Sequence, residues 1–248
     1  MPLLTVLTAA IGRWAGYVRD AGESLTGQEL PEGWEMEWVV QEDGEDPVLA
    51  GVVGGFPFAR YEANGQSLGI AATRNLALAR SGGSLTQTLD CDDVILPGGP
   101  AAVIDAFETH PDIHWVATQA DDLLPDGTRV AFDPVRTPGY VEAGFVTEHI
   151  LEHGYSPFLQ NGVAYRTATI RALGGWVATP HGEDFAMHAA ITELAPGYYT
   201  PEVIFLYRQH DEQTSRRPEW ISRRSMSLDM VLQRITALRS IGLRIGTS

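Results

Sequence analysis

Lysine is absent from this 248-residue chain, and all 17 basic side chains are arginines. That absence reflects the codon preference of a GC-rich genome more than a mechanism. Basic charge is scarce altogether: 32 acidic residues outweigh the arginines and leave a formal net charge of -15. A broad footprint for DNA or RNA needs clustered cations, so nucleic acid is a poor partner. Cysteine is nearly absent too. The single Cys91 rules out an internal disulfide and any multi-cysteine zinc or iron–sulfur site, which suits a reducing, cytoplasmic setting. No apolar run approaches the ~20 residues that span a bilayer. Met1 to Ile11 is apolar, but it lacks a basic leader and runs into Arg13, Trp14 and Asp20, so it reads as a buried strand.

What is present suffices for one substantial core: 44% of the residues are hydrophobic and 20% charged, which argues for a single globular domain. The charge is uneven. From Ile204 to Ser248 eight arginines face four acidic residues, whereas residues 1–203 hold nine arginines and 28 acidic residues.

Hydrophobic periodicity alternates between strand and helix. Leu3 to Thr8 reads as a strand, and Trp14, Tyr17 or Val18, Ala21 and Leu25 as a helix. Glu35 to Gln41 alternates as a second strand and ends in the acidic turn Glu42 to Pro47. Phe56 to Glu62 is a weaker strand, Gly69 to Ala79 a helix, and Ser84 to Leu89 a strand that ends at Asp90-Cys91-Asp92-Asp93. Pro100 opens a helix to Thr109, Ile113 to Thr118 is a strand, and a hairpin turns at Asp126-Gly127. Val141 to His153 reads as helix, Gly162 to Arg166 as strand, Ala168 to Leu173 as a short helix, and Phe185 to Leu194 as helix. Tyr198 to Arg208 is the last strand, and Leu228, Val231 or Leu232, Ile235, Leu238 and Ile241 mark a final amphipathic helix. Such alternation favours an α/β sheet whose ligands collect at the carboxyl ends of the strands, where Thr8, Asp43 and Asp90 to Asp93 fall.

An isolated Asp-x-Asp is usually a solvated acidic turn. In an extended chain, however, Asp90 and Asp92 would share one side, and two carboxylates with a bound phosphate suit Mg²⁺ or Mn²⁺. The surroundings add weight. Gly69 to Ala79 with Arg74-Asn75, the strand Leu85 to Leu89, and Asp90 to Asp93 followed by Pro97 resemble the core of the family 2 glycosyltransferases. One departure is Thr73, where that family more often has Ala. Four further stretches agree in order: Val39 to Asp46; Asn161 to Arg166 with Ile170 to Trp176; Gly182-Glu183-Asp184-Phe185; and Tyr207-Arg208-Gln209-His210 with Gln213 and Ser215 beyond. The resemblance covers residues 3–217.

It implies an α/β, GT-A (Rossmann-like) mixed central sheet flanked by helices, in one domain with a C-terminal helical extension. Residues 1–217 would form the glycosyltransferase domain, with 1–110 as the nucleotide-binding half and 111–217 as the acceptor-binding half. Residues 218–248 would be the amphipathic extension. The implied reaction is a metal-dependent inverting transfer of a sugar from a nucleotide-sugar, expected to be a UDP-sugar, to an acceptor hydroxyl. Asp184 would be the general base and Glu183 would orient the acceptor. Thr8, Asp43, Arg74, Asp90, Arg208 and Arg216 would hold the donor, Asp43 by accepting from the uracil imide and Arg208, Arg216 and Arg217 by closing over the diphosphate. Asp92 and His210 would hold Mn²⁺ or Mg²⁺. His181 is a further acceptor contact, and the segment His210 to Arg217 has the composition of a lid.

Two alternatives compete. A sugar nucleotidyltransferase shares the α/β architecture, but it resembles a Gly-rich basic loop after the first strand, where this chain has Leu7 to Trp14 with one glycine. A non-catalytic sugar-binding relative would not need Asp43, Arg74, Asp90, Asp92 and Asp184 together. The acceptor, whether a sugar, a lipid-linked sugar or a small molecule, is not legible. The Arg-bearing C-terminal helix could pack on the body, pair two copies as a homodimer, or touch an anionic membrane surface.

Overall fold

The computed structural model describes residues 1–133, 136–159, 162–180, 182–213, 216, 218 and 222–245; Asn161, His181, Ser215 and Arg217 lie outside them. Alternation along the strands sets the layers. In β1 (Leu3–Ile11), Leu4, Val6 and Ala10 turn to one face and Leu7 to the other, and in β2 (Glu35–Asp43), Trp38 and Val40 oppose Val39. The first face is covered by α1 (Ala15–Leu25), the short α2 (Ala50–Val53) and α4 (Gly99–Thr109), which bring in Val18, Leu25, Val53 and Phe107. The second is covered by α3 (Ile70–Arg80), α5 (Phe145–His153), α6 (Thr167–Ala172), α7 (Glu183–Leu194) and α8 (Arg224–Ser240). Each large aliphatic buried this way contributes about 1.5–3 kcal/mol.

The sheet runs in the order β3 (Ala59–Ala63), β2, β1, β4 (Leu85–Thr88), β9 (Ala164–Arg166), β6 (Trp115–Leu123), β10 (Gly197–Arg208), β5 (Val94–Ile95). Beside this path, β7 (Arg129–Ala131) pairs with β6 and β8 (Gly139–Val141) with β10. β3, β2, β1 and β4 are parallel, as are β6 and β10, while β9 runs antiparallel between β4 and β6. The sheet is therefore mixed. Ile11 pairs with Asp43, and Leu7 pairs with Thr88, so the carboxyl ends of these strands form one rim.

Several boundaries differ from expectation. β1 continues to Ile11 and β6 to Leu123, because Ala9 to Ile11 still pair with β2 and Asp121 to Leu123 with β7. β5, β8 and α2 were not expected; two to four residues carry no readable period. Residues 90–93 are not extended: the Asp93 amide donates to the Asp90 carbonyl at 3.1 Å and closes a turn. Among the described residues no helix is long and apolar enough to cross a membrane.

Candidate active site

The rim gathers two linked clusters. The first is centred on Arg74, which α3 carries into the protein, leaving it 2% exposed. α3 begins at Gly69, whose φ of +82° favours glycine, and its start is pinned by Asp43. Asp43 accepts from the Leu68 amide at 2.7 Å, the Gly69 amide at 3.0 Å and the Asn64 side chain at 2.9 Å. The carboxylate expected to read a uracil thus also organises the loop ahead of α3, and its half-exposed position leaves it at the rim.

One guanidinium nitrogen of Arg74 donates to Asp90 at 2.6 Å, and the other to Glu183. Burial opposes the charge of Arg74, but Asp90, Glu183 and Asp184 outweigh it and raise its pKa. Burial also raises the pKa of the Glu183 carboxyl, against the pull of Arg74 and with the push of Asp184. With Asp90 and Glu183 on its guanidinium, Arg74 is a buried bridge between the two halves of the chain. The residue expected to hold the donor thus lies beside Asp90, within the cluster that the rim gathers. A second seam runs beside it: Asn75 and the backbone of Trp176 exchange two hydrogen bonds of 2.8 Å. Gly175, at φ +70°, makes that approach possible, since a Cβ there would overlap Asn75.

Glu183 and Asp184 occupy the first turn of α7, and they divide the work. Glu183 is buried against Arg74, while Asp184 is half-exposed and accepts from the Phe185 amide at 2.7 Å. The positive end of the helix lies beside both carboxylates.

The second cluster holds Asp92 and His210, whose Oδ2 and Nε2 lie 2.9 Å apart. Burial raises the pKa of Asp92, and the like charge of Asp90 adds to it, while the His210 hydrogen bond lowers it. No group of three His, Cys, Asp or Glu forms a metal cluster among the described residues. One carboxylate and one imidazole nevertheless fit Mg²⁺ or Mn²⁺, which commonly take one or two protein ligands and fill the remaining positions with substrate phosphate and water. A cation there would also relieve the crowding of Asp90 and Asp92.

Two residues expected to hold the donor are engaged within the chain. Thr8 is fully buried three residues below the end of β1, donating to the Leu89 carbonyl and accepting from the Trp38 indole, both at 2.9 Å. It pins β1 to β2 and to the end of β4. Arg208 donates from Nε to the Asp92 carbonyl at 2.7 Å and from Nη2 to Asp20 at 2.9 Å, and its guanidinium lies 4.8 Å from the Tyr17 ring centre. It braces the Asp90 to Asp93 turn. Arg216 is exposed and donates to Gln209 at 2.6 Å, which anchors to Asp122 at 2.6 Å.

The sequence marks Trp14 and Tyr17 only as helix positions and Asp20 only as a break in the apolar N-terminal run. They belong to the site because β1 ends at Ile11, which places the first turns of α1 at the rim.

Solved structures carry the same architecture. The structure of S. aureus TarS 1–349 in complex with UDP-GlcNAc superposes with a TM-score of 0.70 at 15% identity, covering 96% of this chain and 66% of that one. The UDP complex gives 0.65 at 17%, covering 96% and 65%. A further structure of TarS 1–349 gives 0.65 at 18%, covering 84% and 60%. The chain has the GT-A glycosyltransferase fold. It spans about two thirds or less of the length of these TarS chains. No family model matches the sequence, and no curated protein does. In this GT-A fold both carboxylate clusters lie at the carboxyl ends of the strands, where α/β sheets hold ligands.

Proposed function

We propose that the chain is an inverting glycosyltransferase that uses a divalent cation and a nucleotide-sugar, a UDP-sugar, as donor. The observation that carries this reading is the bridge Asp90–Arg74–Glu183. It couples the turn that carries Asp92 to the helix start that carries Asp184, on the fold shared with a UDP-GlcNAc-bound protein.

Asp90 remains 28% exposed in its side chain and can accept from a ribose hydroxyl while held by Arg74. Asp43 offers a carboxylate edge to a base N–H. Asp92 and His210 would hold the cation, which supplies charge neutralisation for the departing diphosphate. Asp184 takes the proton of the acceptor hydroxyl on the face opposite the leaving group. Glu183 sets the position of that helix turn through Arg74 and leaves Asp184 as the carboxylate open to an acceptor.

The test is a panel of UDP-, dTDP- and GDP-sugars, scored for binding with and without Mn²⁺ and for slow donor turnover. UDP-sugars should bind in a Mn²⁺-dependent way, and Asp92→Ala should weaken that binding at least about tenfold. Asp184→Asn should leave binding intact and lower turnover by about 10²–10⁴. Near-normal turnover in Asp184→Asn removes it as the base, and Mn²⁺-independent binding of every donor removes the metal assignment.

A further inference from the structure

We propose that Tyr17 and Asp20 of α1 are positioning residues that orient the Asp92–His210 pair, acting in part through Arg208. The proposal rests on the reading of Asp92 and His210 as cation-holding groups.

Tyr17 touches both residues that reach the turn. Its ring centre lies 4.8 Å from the Arg208 guanidinium and 5.2 Å from the His210 imidazole. Trp14 stacks beside Tyr17, with its ring 5.4 Å from Tyr17 and 5.0 Å from His210 in an edge-on contact. His210 is therefore held by aromatic faces from the N-terminal end of the chain while its Nε2 meets Asp92. An imidazole packed in this way keeps its ring plane and so the direction in which Nε2 points.

Asp20 acts on the other partner. It fixes the Arg208 guanidinium at 2.9 Å across a separation of 188 residues. Arg208 then grips the Asp92 carbonyl at 2.7 Å, and its own amide donates to Asp93 at 2.9 Å. A shift of Arg208 would therefore move the backbone that carries the Asp92 carboxylate. The segment closes on itself through Gln213, which donates to the Arg208 carbonyl at 2.8 Å and accepts from the His210 amide at 3.2 Å. Neither Tyr17 nor Asp20 needs to touch donor or cation. Supporting groups of this kind orient ligands, and their loss typically lowers metal affinity about 10–100-fold.

The experiment measures Mn²⁺ binding in the presence of UDP, by the loss of the free-ion electron paramagnetic resonance signal, in the full chain. The variants are Tyr17→Ala, Tyr17→Phe, Asp20→Asn and, as reference, Asp92→Ala. Tyr17→Ala and Asp20→Asn should each weaken Mn²⁺ binding about tenfold, with melting temperature and circular dichroism unchanged, and Tyr17→Phe should bind as the parent does because it keeps the ring. Asp20 is 46% exposed in its side chain, so Asp20→Asn gives a readout even if Tyr17→Ala does not fold. If the parent binds no Mn²⁺ with UDP, the proposed function fails. If the parent binds, Asp92→Ala does not, and both α1 variants match the parent, the positioning role is overturned while the metal site stands. Equal losses in Tyr17→Phe and Tyr17→Ala would also overturn it.

Discussion

His188 lies in the second turn of α7, fully buried, with its ring centre 5.1 Å from that of Trp115 and 6.1 Å from that of Phe158. Neither ring nitrogen has a hydrogen-bond partner among the described residues. Burial pushes its pKa down to about 3 from an ordinary 6.5. The folded state thus binds fewer protons than the unfolded one. The stability due to neutral His188 is present above pH 6.5 and is lost progressively as pH falls toward the folded value. His188→Leu should therefore gain on the parent as acidity rises, by about 2–3 kcal/mol at a pH two units below 6.5. Urea unfolding of both proteins at neutral and acidic pH checks this, and a gap that does not change with pH would refute it. The same scale shows what a sequence can and cannot disclose. Asp90 could be named because it follows a strand, and Arg74 and Glu183 because their stretches resemble the family's motifs, and the three do meet. What each side chain holds was not legible for Thr8 and Arg208, whose partners Trp38, Leu89 and Asp20 are 30, 81 and 188 residues away.

A buried carboxylate helps to fasten helix α8 to the body. Glu193 of α7 is 1% exposed and accepts from Thr147 of α5 at 2.5 Å and from Arg239 of α8 at 3.1 Å, with Arg244 at 3.6 Å. Arg239 also reaches Glu148 at 2.8 Å. Two of the tail's arginines are thus accounted for as anchors, and Arg234 adds weak contacts of 3.4 Å to the Ala186 and Leu173 carbonyls. Glu193→Ala should cost about 2–3 kcal/mol, below the 3–5 expected when a fully buried pair is broken, because Arg239 remains one-third exposed. Urea unfolding gives the loss, and limited proteolysis should then cut within α8 before the sheet; unchanged cleavage would mean that Val231 and Ile235 alone hold the helix. The apolar stripe made α8 legible as an element, yet only Val231 and Ile235 of that stripe are buried, and Ile241 is 71% exposed. Periodicity identifies a helix but not the carboxylate that seats it.

Across the whole molecule the formal charge of -15 is a source of self-repulsion that folding concentrates. Several acidic groups are offset locally, as Glu37 is by Arg60 and Asp121 by Arg129, but the excess remains on the body. Salt should therefore stabilise the protein: raising ionic strength to about 0.15 M shortens the screening length to about 8 Å. A gain of about 1 kcal/mol would appear as a rise of about 2–4 °C in melting temperature. A salt series by differential scanning fluorimetry tests it, and a steady fall would show that screened ion pairs outweigh the repulsion. The position of β9 bears on how the chain is made. Its three residues join β4 to β6, yet they are synthesised after both. At about 5–20 residues per second on the ribosome, the nascent chain spends seconds with the facing edges of β4 and β6 not yet joined by β9. Those edges are open templates for a neighbouring nascent chain, so the interval before Ala164 emerges is when this protein is most exposed to misassembly.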